Sequence, residues 1–321
     1  MVYTFLKYCV RLSFLIFFRN VVFNKPALLK SKGPLLLAFN HPNSFLDAIV
    51  LDIYFDQPIW SLARGDAFNG KVISWILNAV RIMPVYRTSE GVENLSENYK
   101  TFDACIDIFK KNGLVQIFSE GKCVNEWHLR PLKKGTARLA TKAWEENIPL
   151  RILPLGINYS SFELFGKNVF VNFGEFFDAK DIDLSASDGA RNQEFNSKLQ
   201  AQLQQLVYEI KKDDKEKKRQ LLEIKPSLAK RILLFIPAII GFIVNAPLYL
   251  LIRNFVKKKA GGTGHYDSVM MGLLLITYPI YLLLIVLITY LFAKTALVWW
   301  LLLLIPFTAW SYVQLKKQLD D

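Results

Sequence analysis

Short runs of consecutive apolar residues recur along the first two thirds of the chain, and most of them end in a cluster of polar residues. Short apolar runs bounded by turn residues are typical of buried strands, and longer amphipathic segments predict helices. The two kinds of segment alternate, which predicts an α/β domain with a mostly parallel sheet flanked by helices. The predicted strands cover residues 35–39, 59–63, part of 81–87, 115–118, 151–159 and 169–173, and the predicted helices cover residues 44–54, 72–80 and 95–111.

The last third of the chain is dominated by three long apolar stretches, at residues 232–252, 269–292 and 296–313. A membrane-spanning helix needs about 20 apolar residues, so the second and third stretches predict transmembrane helices, with a tight turn at Lys294 between them. Pro237 and Pro247 interrupt the first stretch, which favours a broken, re-entrant segment over a simple span.

Basic residues mark the boundaries between these parts. Residues 1–23 are apolar and aromatic but contain Lys7, Arg11 and Arg19, which predicts a helix lying in the membrane interface. Residues 195–223 predict a single charged amphipathic helix with a basic band just before the apolar third. The predicted organisation is an interfacial helix at 1–23, an α/β domain at 24–225 and a membrane region at 226–321.

The chain has a formal net charge of +12, from 40 Lys and Arg against 28 Asp and Glu. The basic clusters flank apolar stretches and accompany no nucleic-acid-binding motif, so the expected partner is membrane lipid and no nucleic acid is expected. Arg253 and residues 257–259 precede the apolar hairpin and Lys316 follows it, which predicts an integral membrane protein with its α/β domain on the cytoplasmic face. Three scattered cysteines agree with that reducing compartment.

A histidine follows the first predicted strand, in the run Asn40-His41-Pro42-Asn43-Ser44-Phe45-Leu46-Asp47. Ser44 and Asp47 have the spacing of a helix N-cap and the acid of its first turn. A histidine titrates near neutral pH and acts as a general base when a carboxylate fixes its tautomer, and Asp47 is placed to do this for His41. An ordinary turn histidine beside an ordinary cap residue explains the same run, so the pair alone leaves the chemistry open.

Three further apolar segments also end in polar residues: Arg81 to Arg87, Val115 to Lys122 and Leu150 to Tyr159. Together with the His/Asp run, they resemble the four sequence blocks of the glycerolipid acyltransferase superfamily in order, spacing and residue type, over residues 33–175. The resemblance implies an enzyme that acylates glycerol 3-phosphate, dihydroxyacetone phosphate or lysophosphatidate.

The resemblance implies roles for individual positions. His41 would be the general base and Asp47 the carboxylate that orients it. Arg87 and Arg81 would hold the acceptor phosphate, and Glu120 would accept hydrogen bonds from acceptor hydroxyls or hold the local backbone. The expected substrate-binding residues are Asn43, Arg81, Arg87, Ser119, Glu120, Gly121 and Lys122, and Pro154 matches the proline of the fourth block.

The chain departs from the family pattern at three places. Residues 42–46 place five positions between His41 and Asp47, where family members have four. We expect the turn before the helix to absorb the extra residue, because turns accept insertions more easily than helices do. The form His-x-Asn-x-Phe-x-Asp is similar to a variant in fungal acyltransferases that use glycerol 3-phosphate or dihydroxyacetone phosphate. Ser119 replaces the usual proline, and Lys122 stands where many members have threonine or serine.

The resemblance therefore implies a membrane-bound O-acyltransferase of phospholipid synthesis that transfers a fatty acyl group to glycerol 3-phosphate or lysophosphatidate. Acyl-CoA or acyl carrier protein is the expected acyl donor, and no metal or other cofactor is expected. An acyltransferase for another lipid acceptor, such as an amino-acid lipid or a lysophospholipid, and a non-catalytic membrane protein remain alternatives. His128, His265 and the cysteines lack metal-ligand spacing, and residues 261–264 predict a flexible connector.

Overall fold

The computed structural model describes residues 2–86 and 95–319. Its strands are β1 (Phe18–Phe23), β2 (Leu35–Phe39), β3 (Ile59–Arg64), β4 (Ile82–Val85), β5 (Leu114–Phe118), β6 (Arg151–Tyr159) and β7 (Lys167–Phe173). Its α-helices are α1 (Val2–Phe17), α2 (Phe45–Tyr54), α3 (Lys71–Ala79), α4 (Leu95–Lys110), α5 (Gly135–Glu145), α6 (Asp188–Leu206), α7 (Lys215–Leu222), α8 (Leu228–Ala260), α9 (Tyr266–Ala293) and α10 (Leu301–Leu315).

The strands form one sheet in the order β1-β7-β6-β2-β5-β3-β4, and every neighbouring pair is parallel except β6 and β7. Every residue of β2 is buried, which explains why this strand is continuously apolar rather than alternating. Pro84 lies in β4 at the edge of the sheet, where a missing N–H donor is tolerated. The predicted α/β class with a mostly parallel sheet is confirmed.

Two hydrophobic cores cover the two faces of the sheet. On one face, Leu37 and Leu51 belong to a cluster that also includes Met270 of α9 and Val256 of α8. On the other face, a second cluster contains buried residues of α4, α5 and α6 packed on the strands. The apolar C-terminal helices therefore pack directly on one face of the α/β domain, which places the beginning of α9 close to β2 and α2.

Two predicted helices differ from the structure. The segment 1–23 is helical only to Phe17, and residues 18–23 form β1, which pairs in parallel with β7. The segment 195–223 lies in two helices, α6 and α7, rather than one. The chain leaves α6 after Leu206, where Tyr208 donates its N–H to the Asn158 side chain, and Asp214 then caps α7. Both differences arise from tertiary hydrogen bonds that override local helical pattern.

Three helical segments are long and apolar enough to cross a membrane: Leu228–Ala260, Tyr266–Ala293 and Ala296–Leu315. Lys294 adopts a left-handed conformation at the end of α9, as expected for a tight turn. The break expected at Pro237 and Pro247 is absent, because α8 continues through both prolines. Gly241 lets α8 approach α10 closely: a Cβ at this position would lie 2.0 Å from the carbonyl oxygen of Thr308.

A cavity of about 590 Å³ lies where α8 begins. We call it the basic cavity, because its lining includes seven cationic side chains and one carboxylate, Glu223. The cationic side chains are Arg19, Lys215, Lys218, Arg219, Arg231, Lys316 and Lys317. Arg19 also donates hydrogen bonds to the carbonyls of Val313 and Lys316, which fixes the end of α10 against β1.

Candidate active site

The turn after β2 is held by side chains from neighbouring strands. The side-chain amide of Asn40 makes two hydrogen bonds with the backbone of Ile157 in β6, at 3.0 Å and 2.8 Å. The backbone N–H of His41 donates to Glu120 Oε2 at 3.0 Å. Because parallel strands bring their carboxyl ends to one edge of the sheet, residues from three chain segments meet at this turn.

The structure brings His41 and Asp47 together: Nδ1 of His41 lies 2.9 Å from Oδ2 of Asp47. Five residues lie between them, and the turn before α2 absorbs the extra one, as expected. Ser44 has a φ of 52°, in the region that L-residues with a side chain rarely adopt. The extra residue is therefore accommodated by unfavourable backbone geometry at one position, with α2 left regular.

Asp47 is completely buried and accepts three hydrogen bonds. Besides His41, the donors are the backbone N–H of Asn43 and the hydroxyl of Tyr159, each at 2.8 Å. Burial raises the pKa of Asp47, and the hydrogen bonds from His41, Asn43 and Tyr159 act in the opposite direction. The expected capping role of Ser44 is wrong, because the Ser44 hydroxyl makes no cap and lies 2.6 Å from Nδ1 of His265.

Glu120 joins two backbone segments at the site. One carboxylate oxygen accepts from the N–H of His41 and the other from the N–H of Arg130, at 3.0 Å and 2.9 Å. Burial raises the pKa of Glu120 to about 7, although both backbone hydrogen bonds lower it. Of the two roles considered for Glu120, this geometry fits the one in which it holds the backbone.

The residues around Glu120 shape the end of β5. The ring of Phe118 stacks on His41 with centroids 3.7 Å apart. Ser119 is buried, and its hydroxyl accepts a hydrogen bond from Thr136. Gly121 has a φ of 66°, a conformation that suits glycine. Phe118 thus limits the orientation of the imidazole from one face, while Asp47 fixes it through Nδ1.

The other residues expected to bind substrate differ in where their side chains lie. Arg81 directly precedes β4, whereas His41 follows β2, and the Arg81 guanidinium lies 4.7 Å from the ring centroid of Tyr3. Asn43 is completely buried and donates to Asp267, so its side chain supports the turn from within. Lys122 is exposed beside Gly121. Arg87 lies outside the described residues.

Four residues at the site were missed by sequence reasoning. Tyr159 closes the fourth sequence block, so its position at the end of a strand was a usable signal. No sequence signal marked the other three, Lys167, His265 and Asp267. Only the folded chain brings the start of α9 and the start of β7 to the turn after β2. Asp267 forms a buried ion pair with Lys167.

A narrow cleft of about 220 Å³ lies beside α2, between α1 and α9. Its walls are mainly apolar and include Phe45, two residues before Asp47 in the chain, together with Leu6 and Leu275. Within residues 2–86 and 95–319, no group of three or more His, Cys, Asp and Glu side chains is arranged to hold a metal ion.

The chemistry that this site can perform follows from His41 and Asp47. A histidine oriented by a buried carboxylate can take a proton from a hydroxyl group.

The sequence profile of the Acyltransferase family matches residues 20–158. A chloroplastic 1-acyl-sn-glycerol-3-phosphate acyltransferase of Brassica napus is 24% identical over 140 residues, which are 44% of this chain and 39% of that protein. The match thus spans well under half the length of this curated relative. The 1-acyl-sn-glycerophosphate acyltransferase PlsC of Thermotoga maritima is similar in structure, with a TM-score of 0.46, 16% identity, and coverage of 64% of this chain and 79% of that one.

Proposed function

We propose that this protein transfers a fatty acyl group from an acyl thioester to a hydroxyl of glycerol 3-phosphate or lysophosphatidate, since residues 20–158 match the Acyltransferase family profile. The observation that carries the proposal is the 2.9 Å hydrogen bond between His41 and Asp47 at the carboxyl edge of the sheet. Acyl-CoA or acyl carrier protein supplies the acyl group, and the reaction takes place at a membrane surface.

His41 acts as the general base. Asp47 holds the proton on Nδ1, so Nε2 takes the proton of the acceptor hydroxyl as that oxygen attacks the thioester carbonyl carbon. The tetrahedral intermediate then collapses, the carbon–sulfur bond breaks, and the leaving thiolate receives the proton from Nε2. No acyl-enzyme forms, and the histidine returns to its starting state.

The surroundings of His41 support binding of an amphiphilic substrate. Lys122 lies exposed next to Gly121 and, with Arg87, provides positive charge for the acceptor phosphate. The cleft beside α2, between α1 and α9, accepts an acyl chain because its walls are mainly apolar. An anionic head and a long apolar tail are the two parts of an acylated glycerol phosphate.

The test is acyl transfer by the purified, detergent-solubilised full chain. Labelled acyl-CoA and acyl carrier protein are offered as donors, with glycerol 3-phosphate and lysophosphatidate as acceptors. His41→Ala should abolish transfer to the acceptor that the wild type uses. His128→Ala is the matched control and should retain activity, because His128 is exposed and pairs with Glu209 on the surface.

Two results would contradict the proposal. Transfer that survives His41→Ala would exclude the general-base role of this residue. A folded wild-type protein that acylates neither acceptor, but acylates a lysophospholipid or an amino-acid lipid, would exclude the proposed acceptors and keep the reaction class.

A further inference from the structure

The connector between α8 and α9, residues 261–265, packs against the turn that carries His41. Cys123 lies between them: the N–H of Ser44 donates to its sulfur at 3.0 Å, and the sulfur lies 3.8 Å from the carbonyl oxygen of Gly264. A Cβ at Gly264 would lie 2.9 Å from the same sulfur. The contact is therefore close, and it joins the apolar C-terminal region to the site.

Asp267, in the first turn of α9, makes the most deeply buried of these contacts. Its Oδ2 accepts a hydrogen bond from the side-chain amide of Asn43 at 2.7 Å and an ion-paired contact from Lys167 of β7. Asn43 in turn donates its backbone N–H to Asp47. A continuous series of polar contacts thus runs from Lys167 through Asp267 and Asn43 to the carboxylate that orients His41.

A second contact reaches the same turn. The hydroxyl of Ser44 lies 2.6 Å from Nδ1 of His265. Ser44 is also the residue with the positive φ, at 52°. The connector and α9 therefore make hydrogen bonds to the turn at Asn43 and Ser44. These neighbouring residues lie where the turn accommodates the extra residue, at the cost of an unfavourable backbone conformation at Ser44.

We propose that Asp267 is a positioning residue for the His41–Asp47 pair, with His265 assisting it through Ser44. The inference rests on the proposed function, since positioning matters only if this pair reacts. Asp267 is almost completely buried and Asn43 is completely buried, so a substrate that arrives from solvent does not reach either side chain. Asp267 acts by fixing the amide of Asn43, and with it the backbone N–H that holds Asp47 in place.

The energetics of the Lys167–Asp267 ion pair favour a role in positioning the turn over a role in only holding α9 against the domain. Removing two charges from water is costly, and a buried ion pair often stabilises a fold no more than apolar residues of similar volume would. Its distinct contribution is to require one arrangement of its hydrogen-bonded neighbours. At this site the neighbour is Asn43, one residue before the positive-φ position and four residues before Asp47.

Two double variants separate positioning from docking. Lys167→Met with Asp267→Asn removes the ion pair but leaves a side-chain carbonyl that can accept from Asn43. Lys167→Met with Asp267→Leu also removes the ion pair and leaves no acceptor. Neither variant keeps a lone buried charge, which would itself destabilise the fold.

Positioning predicts that only the leucine variant loses catalytic rate. We expect its kcat to fall about 10- to 100-fold, because small displacements of reacting groups have effects of this size. The KM values for both substrates should stay within about twofold of the wild type, since no residue that binds substrate is changed. The asparagine variant should keep a kcat close to that of the wild type, at a similar melting temperature.

Hydrogen–deuterium exchange over residues 39–51 gives a reading independent of activity. We expect faster exchange of the turn in the leucine variant and wild-type exchange in the asparagine variant. Equal exchange and equal kcat in both variants would overturn the positioning role. Failure of the wild type to transfer acyl groups, with the exchange difference present, would instead reject the proposed function and leave the structural coupling in place.

Discussion

At the scale of single residues, the site depends on one carboxylate. Asp47 receives hydrogen bonds from an imidazole, a backbone N–H and a phenol, so its orientation is fixed from three directions. A carboxylate fixed in this way can hold a histidine in one tautomer throughout a reaction. Tyr159 is the only one of the three donors that lies in a strand, and its hydrogen bond connects β6 to α2.

Asp47→Asn should lower kcat by roughly 10³- to 10⁴-fold, because an amide cannot stabilise the imidazolium and can force the wrong tautomer. Tyr159→Phe removes one of three donors and should cost about 5- to 10-fold, the effect of about one hydrogen bond. Steady-state kinetics on both variants tests this order. Equal losses in the two variants would show that Tyr159 and Asp47 act as a single unit.

Glu120 should make stability depend on pH. Its pKa rises from an ordinary 4.5 to about 7 in the folded protein, so the folded state binds the proton more tightly. This contribution to stability is complete below pH 4.5 and is lost as pH rises through 7. The melting temperature of the wild type, measured from pH 5 to 8 in detergent, should therefore fall more steeply than that of Glu120→Gln. Parallel curves would contradict this assignment.

At the scale of elements, apolar runs bounded by polar residues predicted the strands well. The bounds of β2, β3, β5 and β6 differ by at most one residue from those expected, because each is mostly buried and ends at a polar cluster. β1 was missed because residues 18–23 continue an apolar, basic helix pattern. Their strand conformation depends on pairing with β7, far away in the chain.

The candidate site also divides into residues that local patterns predict and residues that only long-range contacts bring together. His41, Asp47 and Glu120 belong to short motifs at the ends of strands, so their convergence could be predicted from the order of the elements. Arg81 directly precedes β4, whereas His41 follows β2, so the order of the elements does not bring these two residues to the same end of the sheet. The expected role of Arg81 in binding phosphate stays a prediction. Asp267 lies 224 positions from Asn43, and no local pattern encodes that contact.

Gly241 should be essential for the packing of α8 on α10. Gly241→Ala would place a methyl group 2.0 Å from the carbonyl oxygen of Thr308, so the two helix backbones must separate. We expect a lower melting temperature in detergent. Gly272→Ala in α9 is the matched control, since a Cβ there meets no atom within 4 Å. A drop in melting temperature for both variants alike would point to helix flexibility rather than packing.

At the scale of the whole molecule, α8 contacts the rest of the chain near both of its ends. Lys230, near its beginning, donates to Gln314 at the end of α10. The connector after its last residue packs on the turn that carries His41. The basic cavity and the candidate active site are therefore linked by one helix of 33 residues with a largely exposed apolar surface.

The basic cavity should make activity depend on anionic lipid. Lys215, Arg219 and Arg231 line it, and α8 continues from it with an exposed apolar face, so anionic headgroups are attracted beside a surface for their chains. Changing these three residues to Gln should reduce activation by vesicles that contain anionic phospholipid, relative to phosphatidylcholine alone. The effect should be weaker at high salt.

The control neutralises three basic residues on the opposite layer of the domain, namely Lys111, Arg138 and Lys142. This variant should respond to anionic vesicles like the wild type. Equal loss of activation in both variants would show that total charge, rather than the basic cavity, determines the response.

The contact between Asn43 and Asp267 also imposes an order on biosynthesis. A ribosome adding about 5–20 residues per second makes Asp267 roughly 10–45 seconds after Asn43. Strands β3 to β7 and helix α8 are all synthesised within that interval. The turn that carries His41 therefore gains its contact with Asp267 only after every strand of the sheet has been synthesised.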